Sequence, residues 1–87
     1  MVLDSIRSLD DQWCVDVFEH ASGGFGFEHF RAEPEDGGRW TPVGGFSGQV
    51  YPTAVDALDD AAAQIGWLTA ERPDVIAVRE RLTLRTS

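Results

Sequence analysis

The sequence predicts a small α+β domain: a three-stranded antiparallel meander with one helix packed on one face, a short N-terminal helix and a C-terminal strand. Three observations indicate this class. Alternating β-favouring runs occupy the first half of the chain, glycine-rich turns separate them, and an alanine-rich run with helical spacing follows. A chain of 87 residues is long enough for one hydrophobic core, so residues 1–87 are interpreted as a single domain.

The first ten residues have the spacing of a short amphipathic helix. Val2, Leu3, Ile6 and Leu9 are apolar, and polar side chains occupy most of the positions between them. Apolar residues that recur every three or four positions form one face of a helix. We therefore predict a short helix over residues 1–10.

Strand signals follow and continue to residue 51. The meander at 12–51 is predicted as a strand at 12–19, a turn at 21–24, a strand at 25–33, a turn at 34–38 and a third strand at 39–51. A short glycine turn between two strands favours antiparallel pairing. Pro42 lacks a main-chain donor, so the third strand is expected to be irregular and to lie at an edge.

The strongest helix signal covers residues 53–70. Thr53 is a favourable N-cap, and Pro73 disfavours helical geometry in the residue before it, so the helix should end near Arg72. The apolar stripe of this helix consists of Ala54, Leu58, Ala61, Ile65 and Leu68.

Residues 74–85 fit two structures. Apolar and polar residues alternate through most of this segment, as they do in a strand. Val75, Val78 and Leu82 also fit one face of a short helix. The strand is favoured, and we expect it to pair with the edge of the sheet or with a second copy of the chain.

The charge of the chain is strongly negative. The sequence has 15 Asp and Glu residues against seven Arg and no Lys, for a formal charge of −8, and residues 1–71 alone have a balance of −10. Because affinity for phosphate backbones comes mainly from Lys and Arg, we expect a basic protein partner and no direct contact with nucleic acid. The candidate partner-binding residues are Asp16, Glu28, Glu35, Asp36, Asp56, Asp59 and Asp60.

Few side chains are suited to catalysis or to metal binding. Cys14, His20 and His29 are the only nitrogen or sulfur ligands of the usual kind, and the predicted hairpin does not bring them together. Cys14 lies in a predicted strand beside apolar residues, which is typical of a core position rather than of a nucleophile. The glycine-rich segment 23–26 joins two strands and is interpreted as a hairpin turn, not as a phosphate-binding loop. We therefore expect no enzyme activity, no cofactor and no bound metal.

The passage into the long helix has a recognisable pattern. A glycine and a small polar residue precede a threonine-capped helix with an alanine at each turn; these residues are Gly45, Ser47, Thr53, Ala57 and Ala61. The pattern resembles the βββα module of HicB-type antitoxins, over residues 44–65 in sequence and 12–68 in topology. The additional residues 50–52 and the lack of a recognisable DNA-binding tail depart from that family. The resemblance implies a non-enzymatic acidic protein that blocks a basic ribonuclease by occupying its RNA-binding face.

Two hypotheses for function follow. The first is a small acidic protein-binding module, an inhibitor or antitoxin-like protein that masks a basic surface of a nucleic-acid-processing partner. The alternative is a structural or homo-oligomerising domain with apolar edge contacts, since exposed strand edges favour a homodimer. No run of the sequence approaches the roughly 18 apolar residues of a membrane span, and no signal segment is visible, so a cytoplasmic location without membrane contact is expected.

Overall fold

A computed structural model describes residues 1–86, and it describes their side chains except those of residues 36, 85 and 86. This part of the chain contains four strands and three helices. In chain order they are β1 (Val2–Arg7), β2 (Trp13–Glu19), β3 (Phe25–Glu33), β4 (Arg39–Pro42), α1 (Ala54–Gln64), α2 (Gly66–Glu71) and α3 (Val75–Thr86), with a 3₁₀ turn at Pro34–Asp36.

The strands form one antiparallel sheet in the order β1-β2-β3-β4, so each strand pairs with its neighbour in the chain. The helices pack on one face of this sheet, and α1 lies across β2 and β3. The main buried side chains between the two layers are Ile6, Val15, Val17, Phe27, Leu58, Ile65, Leu68, Val78 and Leu82. The α+β class is therefore as predicted, but the described residues form a four-stranded meander where a three-stranded meander was predicted, and three helices where two were predicted.

The helix predicted over residues 1–10 is wrong, because this segment contains the edge strand β1. Its register with β2 shifts between Val2 and Asp4, where an irregularity interrupts the regular alternation of the strand. As a result, Leu3 and Ile6 both pack against the core although they are three positions apart. That spacing imitates the face of a helix in the sequence.

The helix predicted at residues 53–70 is present but divided in two. Thr53 caps α1 as predicted, since its Oγ1 accepts a hydrogen bond from the main-chain N–H of Asp56 at 3.0 Å. Ile65 has extended backbone angles between α1 and α2, and its side chain is buried in the core. The helical region ends two residues before Pro73, as expected.

The strand favoured for residues 74–85 is also wrong, because α3 occupies this segment. Val75, Val78 and Leu82 have helical spacing and are buried in the common core, where α3 contacts α1 and β1. Leu84, which continues the alternating pattern of the sequence, is 81% exposed. The helix buries its apolar stripe on an existing surface, whereas a strand would need a free sheet edge.

Side chains close the outer edge of β1. The main-chain N–H of Ser5 donates to Asp4 Oδ1 at 3.0 Å, and the carbonyl oxygen of Arg7 accepts a hydrogen bond from Arg72 Nη1 at 2.5 Å. Main-chain groups bonded in this way are not available to another strand. The edge therefore offers a second copy of the chain fewer free donors and acceptors than an open edge would.

The third predicted strand is confirmed as an edge strand, although it is shorter than residues 39–51. β4 ends at Pro42, and the chain then leaves the sheet. It returns at Tyr51 to form an isolated bridge with Phe25. Residues 43–50 therefore form a loop beside the first half of β3.

Candidate binding face

The face of the sheet opposite the helices contains a pocket between β1 and β4. Val15 and Val17 point into the core, so strand alternation directs Cys14 and Asp16 to the opposite face. The pocket has a volume of about 250 Å³. We name it the Asp16 pocket; it is lined by Ser5, Arg7, Cys14, Asp16, Phe30 and Trp40. It combines aromatic walls with charged groups of both signs.

Asp16 supplies the negative charge of this pocket. Its Oδ1 accepts hydrogen bonds from Ser5 Oγ at 2.7 Å and from the Cys14 thiol at 3.4 Å. Both donors are neutral, so neither balances the charge of the carboxylate. In the strand register Asp16 lies directly opposite Glu28, an arrangement in which like charges destabilise a sheet. The Asp16 pocket therefore holds negative charge that these contacts do not neutralise.

Glu28 lies inside the protein rather than on its surface, with only 3% of the residue exposed. Its carboxylate accepts hydrogen bonds from the main-chain N–H groups of His29 at 2.9 Å, Phe46 at 3.4 Å and Ser47 at 3.0 Å. Burial acts to raise the pKa of Glu28, but these hydrogen bonds outweigh it and leave the pKa below its usual value of 4.5. This predicted partner-binding residue instead holds the loop at 43–50 against β3.

Arg7 forms the positively charged rim of the Asp16 pocket. Its guanidinium carbon lies 5.6 Å from the centroid of the Trp40 ring, a cation–π contact, and its Nη1 lies 4.0 Å from Asp11 Oδ1. Arg7 is not among the site residues predicted from the sequence, because its position opposite Cys14 requires residues 2–7 to be a strand. Arg7 therefore already has a counter-ion of its own, Asp11, at the edge of the pocket.

Cys14 forms an uncharged floor for the pocket. The residue is 6% exposed, and burial together with the negative charge of Asp16 raises the pKa of its thiol to about 12. A thiol with so high a pKa stays protonated at neutral pH, and only the thiolate is a good nucleophile. Cys14 therefore acts here as a small packing residue and a weak hydrogen-bond donor.

The other predicted site residues lie away from the Asp16 pocket. Glu35 is exposed in the turn between β3 and β4, and the side chain of Asp36 lies outside the described residues. Asp56, Asp59 and Asp60 are on α1, on the opposite side of the sheet. The structure therefore does not bring the predicted acidic residues together on one face.

The acidic side chains of α1 differ in their contacts. Asp59 Oδ1 accepts a hydrogen bond from Arg79 Nε at 3.0 Å, which links α1 to α3. Asp60 accepts the hydroxyl of Tyr51, and burial together with this contact raises the pKa of Tyr51 to about 12. Asp56 is exposed and forms no ion pair with another described side chain.

A second polar contact lies on the helix side of the sheet and was not predicted. Trp67 Nε1 donates a hydrogen bond to His29 Nε2 at 3.0 Å, and the Trp13 ring centroid is 5.1 Å from that of His29. An indole N–H can only donate, so His29 Nε2 must be unprotonated. Burial lowers the pKa of His29, although the nearby Glu28 acts in the opposite direction. Neutral His29 therefore links α2 to β3.

Replacing Asp16 with asparagine is expected to raise the free energy of unfolding by about 0.5 kcal/mol. Asparagine keeps an oxygen that accepts from Ser5, but it removes the like charge opposite Glu28. Urea denaturation at neutral pH measures the change, and the exposed Glu35→Gln variant is the matched control. If Asp16→Asn loses stability and the control does not, the contacts of the Asp16 carboxylate stabilise the fold more than its repulsion by Glu28 destabilises it.

The described residues also limit the kinds of site present. Within residues 1–86, the helices are too short or too polar to cross a membrane. Among the described side chains, no group of three or more His, Cys, Asp or Glu residues is arranged to hold a metal ion.

The resemblance to HicB-type antitoxins stays a prediction. No protein-family model matches the chain, and no curated protein or solved structure matches it either.

Proposed function

We propose that this chain is a small non-enzymatic protein-binding module whose acidic surface meets a basic partner. In this proposal it is an inhibitor or antitoxin-like protein that masks the basic surface of a nucleic-acid-processing protein. It acts in the cytoplasm and does not bind nucleic acid itself. The observation that carries the proposal is that three arginines, Arg72, Arg79 and Arg81, form ion pairs with acidic side chains of the same chain.

Arginine side chains near the C-terminus are bound to acidic side chains of the same chain. The pairs are Arg72 with Asp74 at 2.7 Å, Arg79 with Asp59 at 3.0 Å, and Arg81 with Asp4 at 3.0 Å. A guanidinium bound to a carboxylate is less available to a phosphate, whose binding depends on free cationic groups. Each pair removes one charge of each sign, so the formal charge of −8 rests on the remaining acidic residues.

Exposed acidic residues without a described cationic partner occur on several sides of the molecule. Glu19 ends β2, Glu35 lies in the turn before β4, and Asp56 is in the first turn of α1. Charge distributed in this way attracts cationic protein surfaces and speeds their encounter, while it repels phosphates. The net negative charge, rather than a single acidic face, supports a basic protein as the partner.

Calorimetric titration of the whole chain tests the proposal. The ligands are a short arginine-rich peptide, an acidic peptide of the same length and a short RNA duplex, each at low and at physiological salt. The basic peptide is expected to bind with an affinity that falls as salt rises, because salt screens exposed charges. Tight binding of the RNA at physiological salt, or no binding of the basic peptide, would overturn the proposal.

A homo-oligomerising domain is the second candidate, and apolar side chains on the surface of α3 favour it. Ile76 is 66% exposed and Leu84 is 81% exposed. The C-terminal strand on which this hypothesis first depended is replaced by α3. Sedimentation equilibrium of the chain and of its Leu84→Ser variant separates the candidates. A dimer that dissociates in the variant supports oligomerisation, whereas a monomer at all concentrations supports the binding module.

A further inference from the structure

We infer that the Asp16 pocket receives an arginine side chain of the basic partner. The inference rests on the proposed function, and it adds the location of the contact and the type of residue that is recognised. Three features of the pocket carry it: a carboxylate that forms no ion pair with a described side chain, aromatic walls and a size that suits one side chain.

Asp16 is the one carboxylate among the residues that line the pocket, and Glu28 lies behind it in the neighbouring strand. Asp16 and Glu28 lie directly opposite each other, a position in which side chains are about 5 Å apart at Cβ. Glu28 is enclosed by main-chain N–H groups, whereas the donors to Asp16 among the described side chains are the neutral groups of Ser5 and Cys14. No described side chain forms an ion pair with Asp16. A cation from a partner would offset the repulsion between the two carboxylates.

The aromatic walls favour arginine over lysine. Phe30 and Trp40 line the pocket. A guanidinium is planar and weakly hydrated and stacks on aromatic rings, whereas the ammonium of lysine is compact and strongly hydrated. Arg7, at 5.6 Å from the Trp40 ring centroid, shows that a guanidinium fits against this surface.

The size of the pocket suits one side chain. Its volume of about 250 Å³ lies below the roughly 300–1,000 Å³ of sites that enclose drug-sized ligands. The floor is formed in part by Cys14, whose thiol stays protonated and therefore adds no second charge. A single side chain with an apolar stem and a charged end matches these properties.

Arg7 allows a test of whether the ligand of the pocket is positively or negatively charged. It carries the same charge as an incoming arginine, so its removal should strengthen binding. If the pocket instead took an acidic ligand, Arg7 would be the group that binds it, and its removal would weaken binding. Substitutions of Arg7 and Asp16 should thus change the affinity for arginine in opposite directions.

Nuclear magnetic resonance titration of the isotope-labelled whole chain measures both location and affinity. The probes are a capped short peptide with one central arginine and its lysine counterpart. Amide shifts should concentrate at Cys14, Asp16 and Phe30. The arginine peptide should bind about threefold more tightly than the lysine peptide, the ratio expected from a cation–π contact at an exposed site.

Three variants complete the test. Asp16→Asn should weaken binding of the arginine peptide about tenfold, since a hydrogen bond to a charged group is lost. Arg7→Gln should strengthen binding about threefold, by removing an exposed like charge. Glu80→Gln changes an exposed acidic residue on α3, outside the pocket; it is the matched control and should leave the affinity unchanged within about twofold.

The possible failures are distinguishable. One outcome is that the amide shifts concentrate near Asp56 on α1 and that Asp16→Asn binds as tightly as the unmodified chain. This outcome overturns the assignment of binding to the Asp16 pocket but leaves the proposed function intact. Equal affinity for the arginine and lysine peptides overturns the preference for arginine. Weaker binding of the arginine peptide by Arg7→Gln overturns the inference that the ligand is positively charged. Failure of every basic peptide in the calorimetric titration overturns the proposed function itself.

Discussion

Replacing Glu28 with glutamine is expected to lower the free energy of unfolding by about 2 kcal/mol, because a partly buried main-chain donor loses its charged acceptor. Both carboxylate oxygens are used: Oε1 accepts from His29 and Phe46, and Oε2 accepts from Ser47. Glutamine has one oxygen, and its amide group would face a second donor. The loop at 43–50 should therefore lose its attachment to β3.

Urea denaturation at neutral pH measures this loss, and hydrogen exchange locates it. The amides of Phe46 and Ser47 should exchange faster in Glu28→Gln than in the unmodified chain. Glu35→Gln is the matched control, because Glu35 is exposed and has the same substitution. Equal stability of the two variants would mean that the contacts of Glu28 do not support the loop.

The pH dependence of this effect has a definite sign. The pKa of Glu28 is lowered in the folded state, so its ionised form stabilises the protein above its usual pKa of 4.5. This stabilisation is lost as the pH falls through the folded-state pKa. The stability difference between the unmodified chain and Glu28→Gln should therefore shrink below pH 4.5, and a constant difference would contradict the role of the charge.

Acidification from pH 7 to pH 5 is expected to lower the free energy of unfolding by about 1 to 2 kcal/mol through the contact between His29 and Trp67. Protonation converts His29 Nε2 from an acceptor into a donor that faces the indole N–H. Burial lowers the folded-state pKa of His29 below its usual 6.5, so the neutral ring stabilises the fold above that value. This stabilisation is lost as the pH falls towards the folded-state pKa.

Three variants assign the effect to His29. Thermal unfolding between pH 7 and pH 5 should depend less on pH in His29→Gln, which still offers an acceptor to Trp67 but does not titrate. Trp67→Phe removes the donor and should also reduce the dependence. His20→Gln changes the other histidine of the chain and is the control. An unchanged pH dependence in His29→Gln would show that other groups cause it.

Local signals were sufficient for the central hairpin and for the start of the helical region. The strands predicted at 12–19 and 25–33 agree with β2 and β3 to within one residue, and Thr53 caps α1 as expected. Gly23 and Gly24 both have positive φ in the turn between the strands, a conformation that glycine adopts readily. Alternation, turn residues and caps act over only a few positions, so they can be recognised in the sequence.

The secondary structure of the two ends of the chain depends on contacts with residues that are distant in the sequence. Leu3 and Ile6 fit a helix until the irregularity in β1 places both against the core. Val78 and Leu82 belong to both candidate patterns for the C-terminal segment, and the surface formed by α1 and β1 selects the helix. Short apolar patterns are compatible with more than one structure, and burial against the rest of the protein decides between them.

The amino-acid sequence alone established the negative charge and the scarcity of catalytic side chains, and it included Asp16 among the candidate binding residues. Tertiary structure alone placed Arg7 of β1 beside Asp16 of β2 and enclosed Glu28 with a loop that follows it by some 18 positions. Charged residues can be counted in a sequence. Whether a carboxylate faces solvent, a cation or main-chain amides depends on which remote segments fold against it.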